Sequence, residues 1–433
     1  MSAAIVIGGG VSGLVAATEL ARAGRKTLLL EAQETLGGAC RPAALGGARW
    51  ALGAQTLYAL DPVLAGELVK RELKFAARDM ATVGLRPDGK PLVLSRDVRV
   101  SARSVAAHST GDAQAYPRYR RALFEDARAL RPFWWEGEAA DAALLARLGA
   151  MSAEAYLAQW FETEAVRAVL AADVAKPGEP GSALALAWRA AQEMCGLQGA
   201  VAQPVGGAIA LVALLTDAAR EAGVEIRTKA PVARLILAGD TVAGVALASG
   251  ETIHAPAVLS SLSRRDTLLS LAPTASAGFA ETFALRRAAP PAREAALAFV
   301  LNAAPELGDP ATARFVLAEE DIVLELVVPT AAEPDLAPPG QHILSIRARG
   351  FGEMPQAALA AKIVRLIEPY TAHLRARIVA MDMRMGDAGA IQPERPAAER
   401  IVTPIAGLYL CNTEPVGAVS GRAGRLAAAM VGA

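Results

Sequence analysis

The chain has 433 residues, of which 53% are hydrophobic and 20% charged, and its 44 basic and 44 acidic side chains cancel to a formal net charge of zero. This length exceeds what one hydrophobic core organises, and implies two domains or one large domain with an elaborate insertion. The charge balance excludes the basic excess of a nucleic-acid binder, and the hydrophobicity excludes intrinsic disorder.

Residues 3–7 read as a short buried strand, 11–23 as an apolar-rich helix closed by Gly24, and 26–31 as a second strand, which makes a βαβ opening. From about 61 to 200 the pattern is mostly helical, with segments near 62–73, 116–130, 139–148, 153–161 and 183–194. Pro132, Gly137, Gly149 and the run Pro177-Gly178-Glu179-Pro180-Gly181 punctuate them. A helix over 208–222, a stop at Gly223 and a strand over 224–228 follow. A hairpin of 232–237 and 242–247 then turns at Gly239-Asp240, ahead of strands across 252–260. Between about 280 and 350 the texture changes to β formers at 281–287, 296–302, 313–317, 322–328 and 342–349, which suits a mostly antiparallel sheet. A helix over 355–367, strands over 377–385 and 407–411 and a helix over 421–431 complete the chain. Two domains woven through each other explain this order better than two in tandem.

No apolar run approaches the roughly 18 to 20 residues of a membrane span, and the amino terminus shows no export signal. Cys40, Cys195 and Cys411 are too few and too scattered for a disulfide framework or a metal cluster, so a reducing cytoplasm fits best.

Gly8-Gly9-Gly10-Val11-Ser12-Gly13 is a G-x-G-x-x-G run that follows a strand and opens a helix, and the next strand ends in Glu31. Gly8 allows the tight turn, Gly10 lets a diphosphate approach the backbone, and Gly13 lets helix and strand pack closely. The helix amino end adds N–H groups and positive potential. Glu31 would accept from the ribose hydroxyls of an adenosine. A second glycine pair, Gly37-Gly38, follows the acid where backbone must again come close to a bound group.

That extension resembles the amine-oxidase-like FAD superfamily. The resemblance continues at Gln203-Pro204-Val205-Gly206-Gly207, Gly223-Val224-Glu225, Pro231-Val232-Ala233-Arg234-Leu235 and Ala257-Val258-Leu259-Ser260-Ser261. It ends with Gly407-Leu408-Tyr409-Leu410-Cys411 and Val419-Ser420-Gly421-Arg422. Together these are similar to phytoene-desaturase-like, carotenoid-desaturase-related FAD-dependent oxidoreductases.

The resemblance implies an α/β fold. A Rossmann-type FAD domain in three segments (1–75, 200–265, 395–433) would be interwoven with an α+β substrate domain (76–199, 266–394) of helices on a mostly antiparallel sheet. Gly8, Gly10, Val11, Ser12, Gly13, Glu31, Ala32, Gly37 and Gly38 would hold the adenosine and diphosphate of FAD. Val232 would meet the adenine, Ser260 would lie beside the site, and Val419 and Ser420 at a helix amino end would face the flavin. One departure stands at Cys411-Asn412-Thr413-Glu414-Pro415-Val416-Gly417, where the family's usual glycine-containing pair is gone and Asn412, Thr413 or Glu414 would replace it.

The implied activity is hydride transfer between an apolar or lipid-like organic substrate and flavin, with oxygen or a quinone as electron acceptor. Amine oxidation, flavin-assisted isomerisation or saturation, a flavin-binding protein with a decayed site and a bare NAD dehydrogenase are the alternatives. No acid–base pair stands out among the four scattered histidines, so no catalytic residue is assigned. Phe133-Trp134-Trp135, Tyr156, Trp160-Phe161 and Trp188 cluster in the helical segment. They read first as core packing and second as an apolar tunnel or a lip touching a membrane surface. No charged clamp for a substrate is evident, and the sparse lysines argue against a small polar amine.

Overall fold

The computed structural model describes residues 4–273, 276–288, 292–319, 321–387, 393–413 and 418–432. Its centre is a five-stranded parallel sheet. Ala4–Ile7 lies between Thr27–Leu30 and Val258–Ser260, with Glu225–Arg227 and Leu408–Leu410 at the two edges. The three inner strands are buried throughout because both faces are covered. Ala4, Val6 and Leu29 point to the helices Val11–Arg22, Gly207–Glu221 and Arg422–Gly432. Ile5, Ile7, Leu28 and Leu30 point the other way, onto Leu235, Val242 and Val245 of a three-stranded antiparallel sheet.

A seven-stranded sheet forms the second layer. Its order is Ile378–Asp387, Arg293–Leu301, His342–Arg349, Ile322–Val327, Ala313–Glu319, Ala81–Gly84 and Leu92–Leu94. Every pairing is antiparallel except that of Ala313–Glu319 with Ala81–Gly84. One face buries Leu297, Phe299, Leu324 and Ile346 against the helix Gln356–Ile367. The other meets the helical layer 98–191. The α/β architecture with a mostly antiparallel second sheet is therefore the one the resemblance implies.

Two expectations fail locally. Residues 281–287 form no strand; Phe279–Arg287 is a helix, with Glu281 in its first turn and Arg286 and Arg287 in its last, each sign matched to the helix dipole. The stretch 61–200 is mostly helical, as expected, with the short strands Ala81–Gly84 and Leu92–Leu94 pairing onto the large sheet. Pro132 does not end its helix, which runs Thr110–Trp135. Burial of Phe133 and Trp134 in the last turn offsets the hydrogen bond that the proline lacks. Among the described residues no helix is long and apolar enough to cross a membrane.

Candidate functional site

The carboxyl ends of the first two strands open onto a cavity of about 500 Å³. In open parallel sheets this is where ligands bind. Gly8, Gly10, Val11 and Ser12 form one wall, where the helix Val11–Arg22 begins. No side chain caps that helix, and its first turn has no acid, so its positive end stays available to an anion. Gly13 does not line the cavity. A Cβ there would collide with the Gly8 carbonyl, so this position sets the closeness of helix to turn.

Glu31 is buried at the wall, and backbone fixes both of its oxygens. Oε2 accepts from the Gly9 amide at 2.7 Å, and Oε1 accepts from the Gln33 amide at 2.8 Å. Each oxygen keeps a second acceptor position. Ala32 continues the wall. The second glycine pair lies directly against the first turn: the Gly37 amide donates to the Gly9 carbonyl at 2.8 Å, and Gly10 bridges Gly37 as a parallel pair. Gly37 and Gly38 have φ of 124° and 56°, which a side chain would strain.

The far wall comes from Val232, Asn412, Val419 and Ser420. Ser420 Oγ accepts from the Arg422 amide at 3.1 Å and so caps the last helix. Asn412 Nδ2 donates to the Ser261 carbonyl at 3.3 Å. Glu414 lies outside the described residues. Ser260 departs from expectation: strand alternation turns its hydroxyl into the core, 2.8 Å from Thr267 Oγ1, and its neighbours Ser261 and Leu262 line the cavity instead.

Sequence reasoning missed what pins this far wall. The Asp61 amide donates to the Ser420 carbonyl at 2.9 Å. Its carboxylate accepts from Arg422 Nε at 3.2 Å and Arg425 Nη2 at 3.0 Å, and also caps the helix Pro62–Lys70 through the amides of Val63 and Leu64. Burial alone would raise the Asp61 pKa, but the bond and charge of Arg425 and the charge of Arg422 hold it below its ordinary value. Asp followed by Pro at a helix start was the available signal.

Cys40 lines the cavity and Cys411 is buried close by in the fold's first core. Burial pushes both thiols up to about 12, so neither supplies a thiolate near neutral pH. Among the described residues no group of His, Cys, Asp and Glu could hold a metal.

A second cavity, of about 160 Å³, lies between the helical layer and the large sheet. Tyr116, Tyr119, Leu123 and Phe124 line it, with Arg189, Arg314 and Asp173. Trp134 and Trp188 line neither cavity. Both are core residues, 0% and 2% exposed, and the Trp134 indole donates to the Pro393 carbonyl at 2.8 Å. For these two tryptophans, packing is the correct reading and the tunnel is not.

The glycine turns, the uncapped helix end and the fixed carboxylate have the donor set a dinucleotide requires, and a Cβ at Gly37 or Gly38 would crowd the backbone at the wall. The comparisons agree. The chain is 27% identical to the rat protein called pyridine nucleotide-disulfide oxidoreductase domain-containing protein 2, over 99% of this chain and 93% of that one. It is 28% identical to hydroxyneurosporene desaturase of Cereibacter sphaeroides, over 58% of this chain and 54% of that enzyme. An oxidoreductase from Methanosarcina mazei shares the fold at a TM-score of 0.73 and 18% identity, with 99% of each chain covered. Residues 11–266 match the family of flavin containing amine oxidoreductases. The chain therefore belongs to that family, and is an FAD-dependent oxidoreductase.

Proposed function

We propose that the protein takes a hydride from a C–H bond of an organic substrate with an apolar body, in the manner of a desaturase. The observation that carries this reading is the character of the second cavity. Tyr116, Tyr119, Leu123, Phe124, Val169 and Leu170 give it an aromatic and aliphatic wall beside four arginines, and both of its carboxylates are already engaged: Asp173 by Arg314 at 2.6 Å and Arg189 at 3.2 Å, Asp79 by Arg96 at 2.6 Å. An ammonium group finds no unpaired acid there. Lys229, just after the edge strand Glu225–Arg227, is exposed and pairs with Glu34 at 2.7 Å.

In this reading Gly8, Gly10, Val11 and Ser12 receive the FAD diphosphate on backbone amides, and Glu31 accepts from the ribose. Ala32 and Val232 flank the adenosine, Gly37 and Gly38 allow close approach, and Val419 and Ser420 face the flavin ring. Segments 1–75, 200–265 and 395–433 form the FAD domain, and the rest forms the substrate domain. Bound FAD supplies the two-electron acceptor, and the protein's part is to orient substrate and exclude water.

The Glu31→Ala variant should bind FAD about tenfold to a hundredfold more weakly, since charge-assisted hydrogen bonds of roughly 1.5–3 kcal/mol are lost. Fluorescence titration of the apoprotein measures it, and unchanged affinity in a folded variant removes Glu31 as the ribose ligand. For the substrate, anaerobic flavin bleaching with isoprenoids, fatty acyl compounds, amines and NADPH decides. Bleaching by the apolar compounds is expected, while bleaching by amines or NADPH alone contradicts the reading. Amine oxidation is the second reading, favoured by the family match over residues 11–266.

A further inference from the structure

The inward face of the large sheet is charged where a core would be apolar. Strand alternation sets Arg314, Glu325, Arg347, Arg349 and Glu294 on one side, and all five are at most 7% exposed. The helical layer adds Arg189, also 7% exposed, and Asp173. The contacts close on themselves. Arg314 meets Asp173 at 2.6 Å and Glu325 at 3.3 Å, Arg347 meets Glu294 at 3.4 Å and Glu325 at 3.8 Å, and Arg349 donates to the Ala172 carbonyl.

Among the described residues, four guanidiniums thus face three carboxylates. Tyr58, whose ring lies 4.4 Å from Arg189, cannot restore the balance near neutral pH, because burial pushes its phenol up to about 12. One positive charge is left over in a buried setting, where an unpaired ion is costly. The excess meets open space at the second cavity, whose lining holds Arg96, Arg120, Arg189 and Arg314 against Asp79 and Asp173. Arg189 Nε lies 3.2 Å from Asp173 Oδ2 but out of hydrogen-bond alignment, and this buried N–H has no hydrogen-bond partner. Arg189, Arg314 and the half-buried Arg120 all line the second cavity. At about 160 Å³ it is close to the roughly 150 Å³ cavity known to take one benzene.

We infer that this cavity binds the carboxylate end of an organic acid, with Arg189 as the principal anion receptor and the aromatic wall holding the first few carbons. The inference rests on the reading of an apolar-bodied substrate and gives that substrate a charged terminus. A guanidinium with a buried, unspent N–H gains a charge-assisted bond from a carboxylate but nothing from an ammonium.

The test uses the FAD-loaded protein with hexanoate, hexanamide and hexylamine, which have similar length but differ in charge, read by calorimetric titration and thermal shift. Hexanoate should bind at least tenfold more tightly than the other two and weaken as salt rises. Arg189→Gln should lower its affinity about tenfold to a hundredfold, and Arg120→Gln, at the wall, severalfold without loss of fold. If Arg189→Gln does not fold, the ligand series and Arg120→Gln still decide. Equal binding of acid and amide, or preference for the amine, overturns the inference. Neither readout uses turnover, so the desaturase reading can fail in the bleaching panel while the carboxylate site stands, and the reverse.

Discussion

Asp61→Asn is expected to cost about 3–5 kcal/mol of stability, because it breaks the buried ion pairs that its carboxylate makes with Arg422 and Arg425. Arg422 is 2% exposed and Asp61 1%, so water cannot replace the pair. The same change loosens Arg422 and Arg425, whose helix begins beside Ser420 at the cavity wall, so FAD affinity should fall along with the urea midpoint. The pH dependence has a definite sign. Asp61 is depressed in the folded state, so its contribution is present above its unfolded pKa of about 3.9 and is lost as pH falls through the lower folded value. Acidification below about pH 4 should therefore erode wild-type stability more than that of the variant. An unchanged urea midpoint at pH 7 contradicts this account of the clamp.

Trp134→Ala should be comparably damaging, at about 3–5 kcal/mol, through the cavity it opens and the unpaired Pro393 carbonyl it leaves. The folded fraction should keep its FAD and its substrate preference, because Trp134 touches neither cavity. A stable variant with altered substrate selectivity would restore the tunnel. Denaturant titration and a KM comparison across two chain lengths distinguish these results.

What was legible in the sequence is what is local. The run from Gly8 to Gly38 encodes its turn, helix start and acid within 31 residues, and the structure gathers these around one cavity. Ser260 was one residue out of register, since a strand's period of two sends a misplaced position to the opposite face. Residues 281–287 were misread because Phe, Thr and Leu suit a strand, whereas Glu281, Arg286 and Arg287 suit helix ends. The arginine network was not legible. In His342–Arg349 the alternation of Leu344, Ile346 and Ala348 with Ser345, Arg347 and Arg349 reads as a core face and a wet face, yet the helical layer covers the second. Its partners at 173, 189, 294, 314 and 325 converge only through the tertiary fold, as do Asp61 and Arg422.

The central claim is that this chain is a FAD enzyme whose cofactor occupies the cavity between the two glycine turns. Its most direct test is the absorption spectrum of the purified protein, followed by heat denaturation and mass identification of what is released. The account predicts a yellow protein, non-covalently loaded, that releases intact FAD in about equimolar amount, and a Gly13→Val variant that releases none because its helix cannot pack onto the Gly8 turn. Recovery of NAD, or of no nucleotide even after incubation with FAD, contradicts it.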